Sequence, residues 1–580
     1  MLLIKYLDNN KIAVSLDTNS QKERNYYLNT MMFTLKYSKI DNKSFIFNYK
    51  DIDLLKKYFK EIKFINEYTP PIYNDMGKDM KLQPYDYQKE CIWFIKNHLN
   101  SLLIAPCGSG KSCIMIGAYL EAINNNIIKG QGLIIVKASL KIQWQKEVSK
   151  FSDLTANVLK TYSDRCSKFK NKISKASGQE KEDLIKEADD YFDEQFNNAD
   201  LLIANYETLL DDNVLDKLLN KNIEFIACDE IQYSKSHTAK RSKALYKLNK
   251  AKVKVGATAT PITKDPRDIY GIFKFINPDL FGSYSSFSKQ YIKFAGYGRI
   301  NGFKNLDILK NNIKNNLLVK TKEEVSSQLP KLNCIKKYCD LTANQIDMQE
   351  KILNELKELN DEDYTIRIKC KSEAEALTNE KLQQINGKVM ALQAFAQELA
   401  DTPKLLELSE SDMAKKYIAD INESPKLDLC LELIEEILDS GEKVVIFSRF
   451  ERMQSILTEA INKRFKDIKI SYINGSLSAE QRYIEAYDKF KDNKDYKILL
   501  CSDAGAEGLN LETAKYLIEY DLASSYAIQT QRQGRIQRAS SSFSNITCYQ
   551  LIANNSWDEI ALKIIKKKED FDANIIKDLI

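Results

Sequence analysis

Chemistry first becomes legible in Ser101–Ser112, SLLIAPCGSGKS. Leu102, Leu103 and Ile104 read as a buried strand, a loop of small residues follows, and Lys111-Ser112 opens a helix continuing through Ile114, Ile116 and Tyr119. A strand, a loop closing on GKS and a helix together make a phosphate-binding loop, with Ala105 where the motif's first Gly usually stands. Gly108 and Gly110 let the backbone curl, so that successive N–H groups point at one phosphate and the helix N-terminus adds its partial charge. Pro106, Cys107, Gly108, Ser109 and Gly110 are therefore the expected cradle. Lys111 would reach the β- and γ-phosphates as a point charge, and the Ser112 hydroxyl is placed for Mg²⁺. A Gly/Ser turn before an ordinary helix is the bland alternative, and it leaves the intact GKS unexplained. The chain is expected to bind a nucleoside triphosphate.

An acidic pair supplies the complementary half. In FIACDEIQ (225–232) an apolar strand ends in Asp229-Glu230. Asp229 would hold Mg²⁺ through water opposite Ser112, and Glu230 would polarise the water that attacks the γ-phosphate. Such a pair is by itself a common turn. Its setting, after FIAC and before GATATP, gives it meaning. Far downstream, QTQRQGRIQR (529–538) holds Gln531, Arg535 and Arg538. The two arginines lie three apart and share a helix face. Planar cations of this kind stabilise charge building on a transferring phosphoryl group; an Arg-rich surface helix is the alternative.

The elements that must carry these groups alternate. LIIV (133–136), LLIANYETLL (201–210), FIACDEIQ and KVKVGATATP (252–261) read as strands separated by helical stretches, with a charged helical insertion at 160–198. A second series, KVVIFSRF (443–450), KISYING (469–475), KILLCS (497–502), KYLIEYD (515–521) and NITCYQLI (545–552), repeats the pattern. Alternation of this kind means parallel sheets with helices on both faces and ligands at the strands' carboxyl ends. Residues 340–424 read as helical. Residues 1–75 read as a small α+β module with strands at Leu2–Tyr6, Lys11–Ser15, Phe33–Lys36 and Ser44–Asn48 and a helix from Ile52 to Phe59, joined to the rest by a TPPIYND linker.

With 580 residues the chain has room for several domains, each with its own core. Lys+Arg at 86 against Asp+Glu at 81 leaves a net charge of only +5, so any basic groove must be local. Eleven cysteines without a CxxC pair, and only His98 and His237 to help them, argue against a zinc site. They read as reduced cysteines of a cytoplasmic protein, bacterial or phage-encoded. Cys107 is the exception, since oxidation inside the phosphate loop would block nucleotide binding; a tolerated small residue is the simpler reading. The N-terminus meets charge too early for a signal peptide, and no apolar run is long enough to cross a bilayer.

Taken together, DEIQ, GATATP, ANYETL and IYGIFKFINPDLFGSYSSFSKQY (269–291) resemble the first motor half of Swi/Snf-type translocases of superfamily two, and LVKTKEEVSSQLPKLNC (318–334) is a further landmark of that family. INGSLSAEQRYIEAYDKF and DAGAEGLNL resemble its motifs IV to V, with Gly505 and Gly508 permitting tight backbone approach near the cleft and Asn510 belonging to the same motif. Gln531, Arg535 and Arg538 match its QxxGRxxR motif. Gln88, in KLQPYDYQKECIWFI, matches the adenine-reading Gln of superfamily two, whose amide offers a donor and an acceptor to the N6/N7 edge. Thr263-Lys264 depart from the family, which often has an Asn shortly after TP. Within residues 1–75 an aromatic strand followed by a leucine-rich helix weakly resembles the substrate-recognition module of annealing (HARP-type) helicases.

The resemblance implies two tandem RecA-like parallel-sheet lobes at 76–280 and 425–580, a helical protrusion and connector at 281–424, a small accessory domain at 1–75 and a C-terminal brace helix. It implies ATP and Mg²⁺ as ligands and a translocase or helicase moving on duplex or branched DNA with little sequence preference, acting in fork remodelling, annealing or branch migration, in DNA repair or recombination. Two alternatives stay open: an RNA helicase, and a nucleotide-gated DNA-recognition subunit of a defence or restriction complex.

Overall fold

The computed structural model describes residues 1–7, 11–18, 20–31, 44–48, 52–64, 73, 75–259, 266–294, 300–321, 324–325, 329–370, 375, 378–419, 423–503 and 508–566. These divide into two compact units, Met1–Lys78 and Asp79–Ile580.

Alternation of apolar residues builds the first unit. Leu2 and Ile4, Ile12 and Val14, and Phe45 and Phe47 project to one face of strands β1 (Leu2–Leu7), β2 (Lys11–Leu16) and β3 (Ser44–Asn48). Helices α1 (Gln21–Asn29) and α2 (Ile52–Tyr58) cover that face with Tyr27 and Leu55, and β4 (Ile62–Phe64) completes the order β3-β2-β1-β4. Helix α1 and strand β4 were not legible in the sequence. QKERNYYLN has no apolar stripe, and its start is fixed by the Ser20 hydroxyl accepting the Glu23 N–H at 3.4 Å. The expected strand Phe33–Lys36 lies outside the described residues, as do most of the TPPIYND segment, Thr263-Lys264 and Gly505.

The second unit contains two all-parallel sheets. The first lobe runs through α3 (Asp86–His98), β5 (Asn100–Ile104), α4 (Lys111–Asn124), β6 (Gln131–Val136), α5 (Lys141–Phe151) and β7 (Ala156–Val158). A helical hairpin, α6 (Ser167–Lys175) and α7 (Gly178–Glu194), then buries Phe169, Ala188 and Phe192 before β8 (Leu201–Asn205), β9 (Ile223–Asp229) and β10 (Val253–Thr258) follow. Beyond a short hairpin, β11 (Ile292–Phe294) and β12 (Ile300–Phe303), strand β13 (Leu317–Val319) closes the order β13-β5-β10-β9-β6-β8-β7. Strands buried on both faces need apolar residues at every position, and β8 is buried throughout.

The second lobe has the order β14-β19-β18-β15-β17-β16, from β14 (Lys331–Cys339), β15 (Val444–Phe447), β16 (Lys469–Ile473), β17 (Tyr496–Cys501), β18 (Tyr516–Glu519) and β19 (Asn545–Ala553). Residues 281–424 differ from a purely helical connector. Strand β13 finishes the first sheet and β14 the second, so the chain crosses between lobes within 320–330. Strand β14 is an edge strand that is mostly exposed or half-exposed, so its sequence carries no apolar run to announce it.

The helical pair α8 (Ala343–Arg367) and α9 (Glu380–Asp401) packs through Ile352, Leu356, Leu392 and Phe395, with Gln345 and Gln349 donating to the carbonyls of Leu399 and Ala396 at 2.9 and 2.6 Å. It is pinned to the second lobe by a buried ionic cluster. Lys426, at the start of α10 (Pro425–Asp439), pairs with Asp401 at 2.8 Å and Asp558 at 2.7 Å, all three side chains being fully buried. The helix containing Asp558 runs over 557–566, where the described residues end; the remainder of the expected brace, with Lys567 and Lys568, lies beyond them.

Candidate functional site

The strand ends of the first lobe set the geometry. Register pairs Leu102–Ile104 of β5 with Gly256–Thr258 of β10, and Asp229 of β9 with Ala257. The phosphate loop and the acidic pair therefore leave adjacent parts of one sheet edge. Gly108 and Gly110 take φ of +79° and +74°, and Gly110 starts α4 in the left-handed conformation. The Lys111 ammonium folds back onto the carbonyls of Ala105 and Pro106 at 3.3 and 3.2 Å.

Glu230 also has a positive φ, +51°, a strained conformation for a side-chain-bearing residue. Its carboxylate accepts the Gln232 amide at 2.6 Å, and its N–H donates to Asp229 Oδ1 at 3.0 Å. Burial, reinforced by the neighbouring Glu230 charge, pushes the Asp229 carboxyl up to about 6. The Lys111 ammonium, the Trp144 indole and the Glu230 N–H oppose that rise without cancelling it.

The second lobe contributes α11 (Tyr526–Ile536). Arg532, 2 % exposed, is its anchor: the guanidinium bonds Asp503 at 2.6 and 3.1 Å and the carbonyl and carboxylate of Asp521 at 2.6 and 3.1 Å. Asp521 in turn accepts from the Ser448 hydroxyl at 2.6 Å and the Arg449 N–H at 2.8 Å, fixing the SRF turn. Gln531 and Arg535 lie on α11, whereas Arg538 follows its last residue, Ile536, by two positions, so the end of the helix and not a shared helix face brings the two arginines together. Arg535 and Arg538 both lie 3.5 Å from the Leu509 carbonyl.

These groups converge. Lys111, Ser112, Asp229 and Glu230 from one lobe and Gly508, Gln531, Arg535 and Arg538 from the other line a single crevice of about 90 Å³, together with Cys107, Gly108 and Gly110. Three expected residues face elsewhere. Gln88 is 4 % exposed; its amide donates to the Ser109 carbonyl at 3.0 Å and its oxygen accepts the Tyr85 N–H at 2.9 Å, so it braces the loop from behind instead of presenting an edge to an adenine. Ser109 is buried with its hydroxyl on the Pro106 carbonyl at 2.8 Å, and Pro106 lines a neighbouring cavity.

Sequence reasoning missed two residues of α5. The Trp144 indole N–H donates to Asp229 Oδ2 at 3.1 Å, and Glu147 Oε2 accepts the Ser112 hydroxyl at 3.1 Å. Their i,i+3 spacing was a readable signal of a shared face, though nothing in the sequence said where the face points.

The donor set suits Mg²⁺. Ser112 and Asp229 offer hard oxygens, and among the described residues no cluster of three or more His, Cys, Asp or Glu could hold a metal unaided. A cation that leaves most of its coordination to water and phosphate needs no more, and once bound it neutralises phosphate charge. None of the eleven cysteines is in a disulfide. No helix among the described residues is long and apolar enough to cross a membrane.

Comparison with known proteins adds three findings. Residues 22–403 match the family model of the SNF2-related domain, and residues 425–540 match that of the helicase conserved C-terminal domain. The YwqA protein of Bacillus subtilis is 25% identical over 502 residues, 86% of this chain and 49% of that protein. The ATP-dependent helicase FUN30 of Saccharomyces cerevisiae is 24% identical over 569 residues, 87% of this chain and 48% of its own length. The chain thus spans about half the length of these curated relatives. Among solved structures, the Sulfolobus solfataricus SWI2/SNF2 ATPase core in complex with dsDNA is 24% identical and covers 86% of this chain and 94% of its own, with a TM-score of 0.37.

Proposed function

The chain belongs to the SNF2-related family, and on that premise we propose that it is an ATP-driven translocase of duplex DNA. One observation carries this reading: a phosphate loop with its acidic pair and two arginines from a different lobe line one crevice. In this reading Lys111 neutralises the β- and γ-phosphates, and Ser112 and Asp229 would hold Mg²⁺. Glu230 orients and deprotonates the attacking water. Arg535 and Arg538 meet charge as it builds on the transferring group, so hydrolysis requires both lobes together.

The crevice, at about 90 Å³, is well below the ~300–1,000 Å³ typical of small-molecule sites, so the lobes must part to admit nucleotide. Binding would then close them and product release reopen them. With both lobes gripping a phosphate backbone, through loops such as ANYET (204–208) and SRF (448–450), that cycle becomes stepping. Backbone contacts carry no base information, hence little sequence preference. Fork remodelling, annealing or branch migration would follow if the Met1–Lys78 unit selects branched DNA.

Phosphate release measured with linear duplex, forked duplex, single-stranded DNA and RNA tests the proposal. Turnover should be low alone and rise sharply with duplex or forked DNA; strongest stimulation by RNA would reject it.

A further inference from the structure

Helix α5 carries more than one contact to the proposed cation ligands. Trp144 bonds Asp229 and Glu147 bonds Ser112, so each residue proposed to hold the cation is oriented by a side chain of the same helix face. Glu147 has a second engagement: its other oxygen, Oε1, lies 3.5 Å from the Asn510 amide of the second lobe. Asn510 is itself fixed there by its N–H, which donates to the Tyr487 hydroxyl at 3.1 Å, while its side-chain oxygen is buried without a partner. The residue before Glu147 repeats the theme. The Lys146 ammonium sits over the Tyr483 ring, 3.1 Å from its centre, and Tyr483 stacks on Tyr487 at 4.6 Å.

We propose that Glu147 is a positioning residue that ties the orientation of the Ser112 hydroxyl to closure of the two lobes. The chemistry follows from the bonding inventory of a hydroxyl. Ser112 has one proton and two lone pairs. Giving the proton to Glu147 leaves both lone pairs for a cation, so the contact orients the ligand without competing for it. Carboxylates that hold ligands in this way are worth ~10–100-fold in metal affinity. Glu147 differs from an ordinary supporting group because its second oxygen faces Asn510. When the lobes part, Asn510 leaves, the carboxylate is freed to rotate, and Ser112 loses its fixed donor direction. The inference rests on the ATPase reading above, and its test is chosen to separate the two.

Nucleotide affinity of full-length Glu147→Ala, Glu147→Gln and Asn510→Ala is measured with a fluorescent ATP analogue, in EDTA and across a Mg²⁺ titration, alongside kcat and KM on duplex DNA. Glu147→Ala should raise the Mg²⁺ needed for half-maximal binding by ~10-fold or more and leave affinity in EDTA unchanged. Glu147→Gln retains an acceptor for Ser112, and its amide can donate to the Asn510 oxygen, so it should restore most of the Mg²⁺ dependence. Asn510→Ala should lower kcat with little change in KM. Equal loss of affinity with and without Mg²⁺ in Glu147→Ala, or no loss in either condition, overturns the proposal. Failure of the wild type to hydrolyse ATP would sink the ATPase reading, and the Mg²⁺ titration would still decide the role of Glu147.

Discussion

Gly508 offers a direct perturbation of the interlobe crevice. It stands at φ +82° and faces Leu140, a 7 % exposed residue of the opposite lobe. A methyl group added at Gly508 would overlap Cδ2 and Cγ of Leu140 outright. Restoring an ordinary carbon–carbon separation of ~3.5–4 Å would part the two surfaces by about 2 Å. A misplacement of ~1 Å between reacting groups can cost ~100-fold in rate, about 2.7 kcal/mol, so Gly508→Ala should lower DNA-stimulated kcat by at least that factor. The left-handed backbone adds ~1 kcal/mol of strain. Leu140→Ala removes the obstructing atoms, so the double variant should recover to within ~10-fold of Leu140→Ala alone, the strain remaining. Stopped-flow phosphate release on duplex DNA gives the rates, and a double-mutant cycle gives the coupling. Wild-type turnover in Gly508→Ala, or a double variant no faster than the single, would refute an interlobe contact here.

The other expectations concern the split site, the ionic cluster and the first unit. Lys111→Ala should abolish turnover and weaken nucleotide binding, whereas Arg535→Ala should suppress turnover with binding largely intact; equal loss of binding in both, by fluorescent-nucleotide titration, contradicts the assigned roles. Lys426→Met leaves two carboxylates buried and should cost about 3–5 kcal/mol in urea unfolding, with most of it regained in Lys426→Met/Asp401→Asn/Asp558→Asn. Burial already holds the Asp401 carboxyl well above its usual range. Between about pH 7 and pH 5 the folded variant should therefore bind protons the unfolded chain does not, and its stability should rise as pH falls; a flat profile would contradict this. Deleting residues 1–78, a unit with its own core, should reduce preference for forked over linear duplex in binding assays without lowering ATPase activity on linear duplex.

What the sequence determined by itself is local. An apolar run ending in GKS can only be a buried strand delivering a phosphate loop, because strand, turn and helix start all lie within a dozen residues. The same holds for Asp229-Glu230 after FIAC, whereas α11 ends at Ile536 and leaves Arg538 beyond the helix face that the spacing to Arg535 suggested. The parallel sheets were legible because strands buried on both faces must be apolar throughout. Tertiary structure decided the rest. Strands β13 and β14 join sheets whose central strands lie far away in sequence; β13 is apolar but only three residues long, and β14 has no apolar pattern of its own to reveal this. Gln88 turned out to brace the phosphate loop, since an amide is equally able to bond a base or a backbone carbonyl and only its surroundings choose. Trp144 and Glu147 acquire their roles from what stands opposite them, and the chain must fold across more than three hundred and fifty residues to bring Glu147 within reach of Asn510.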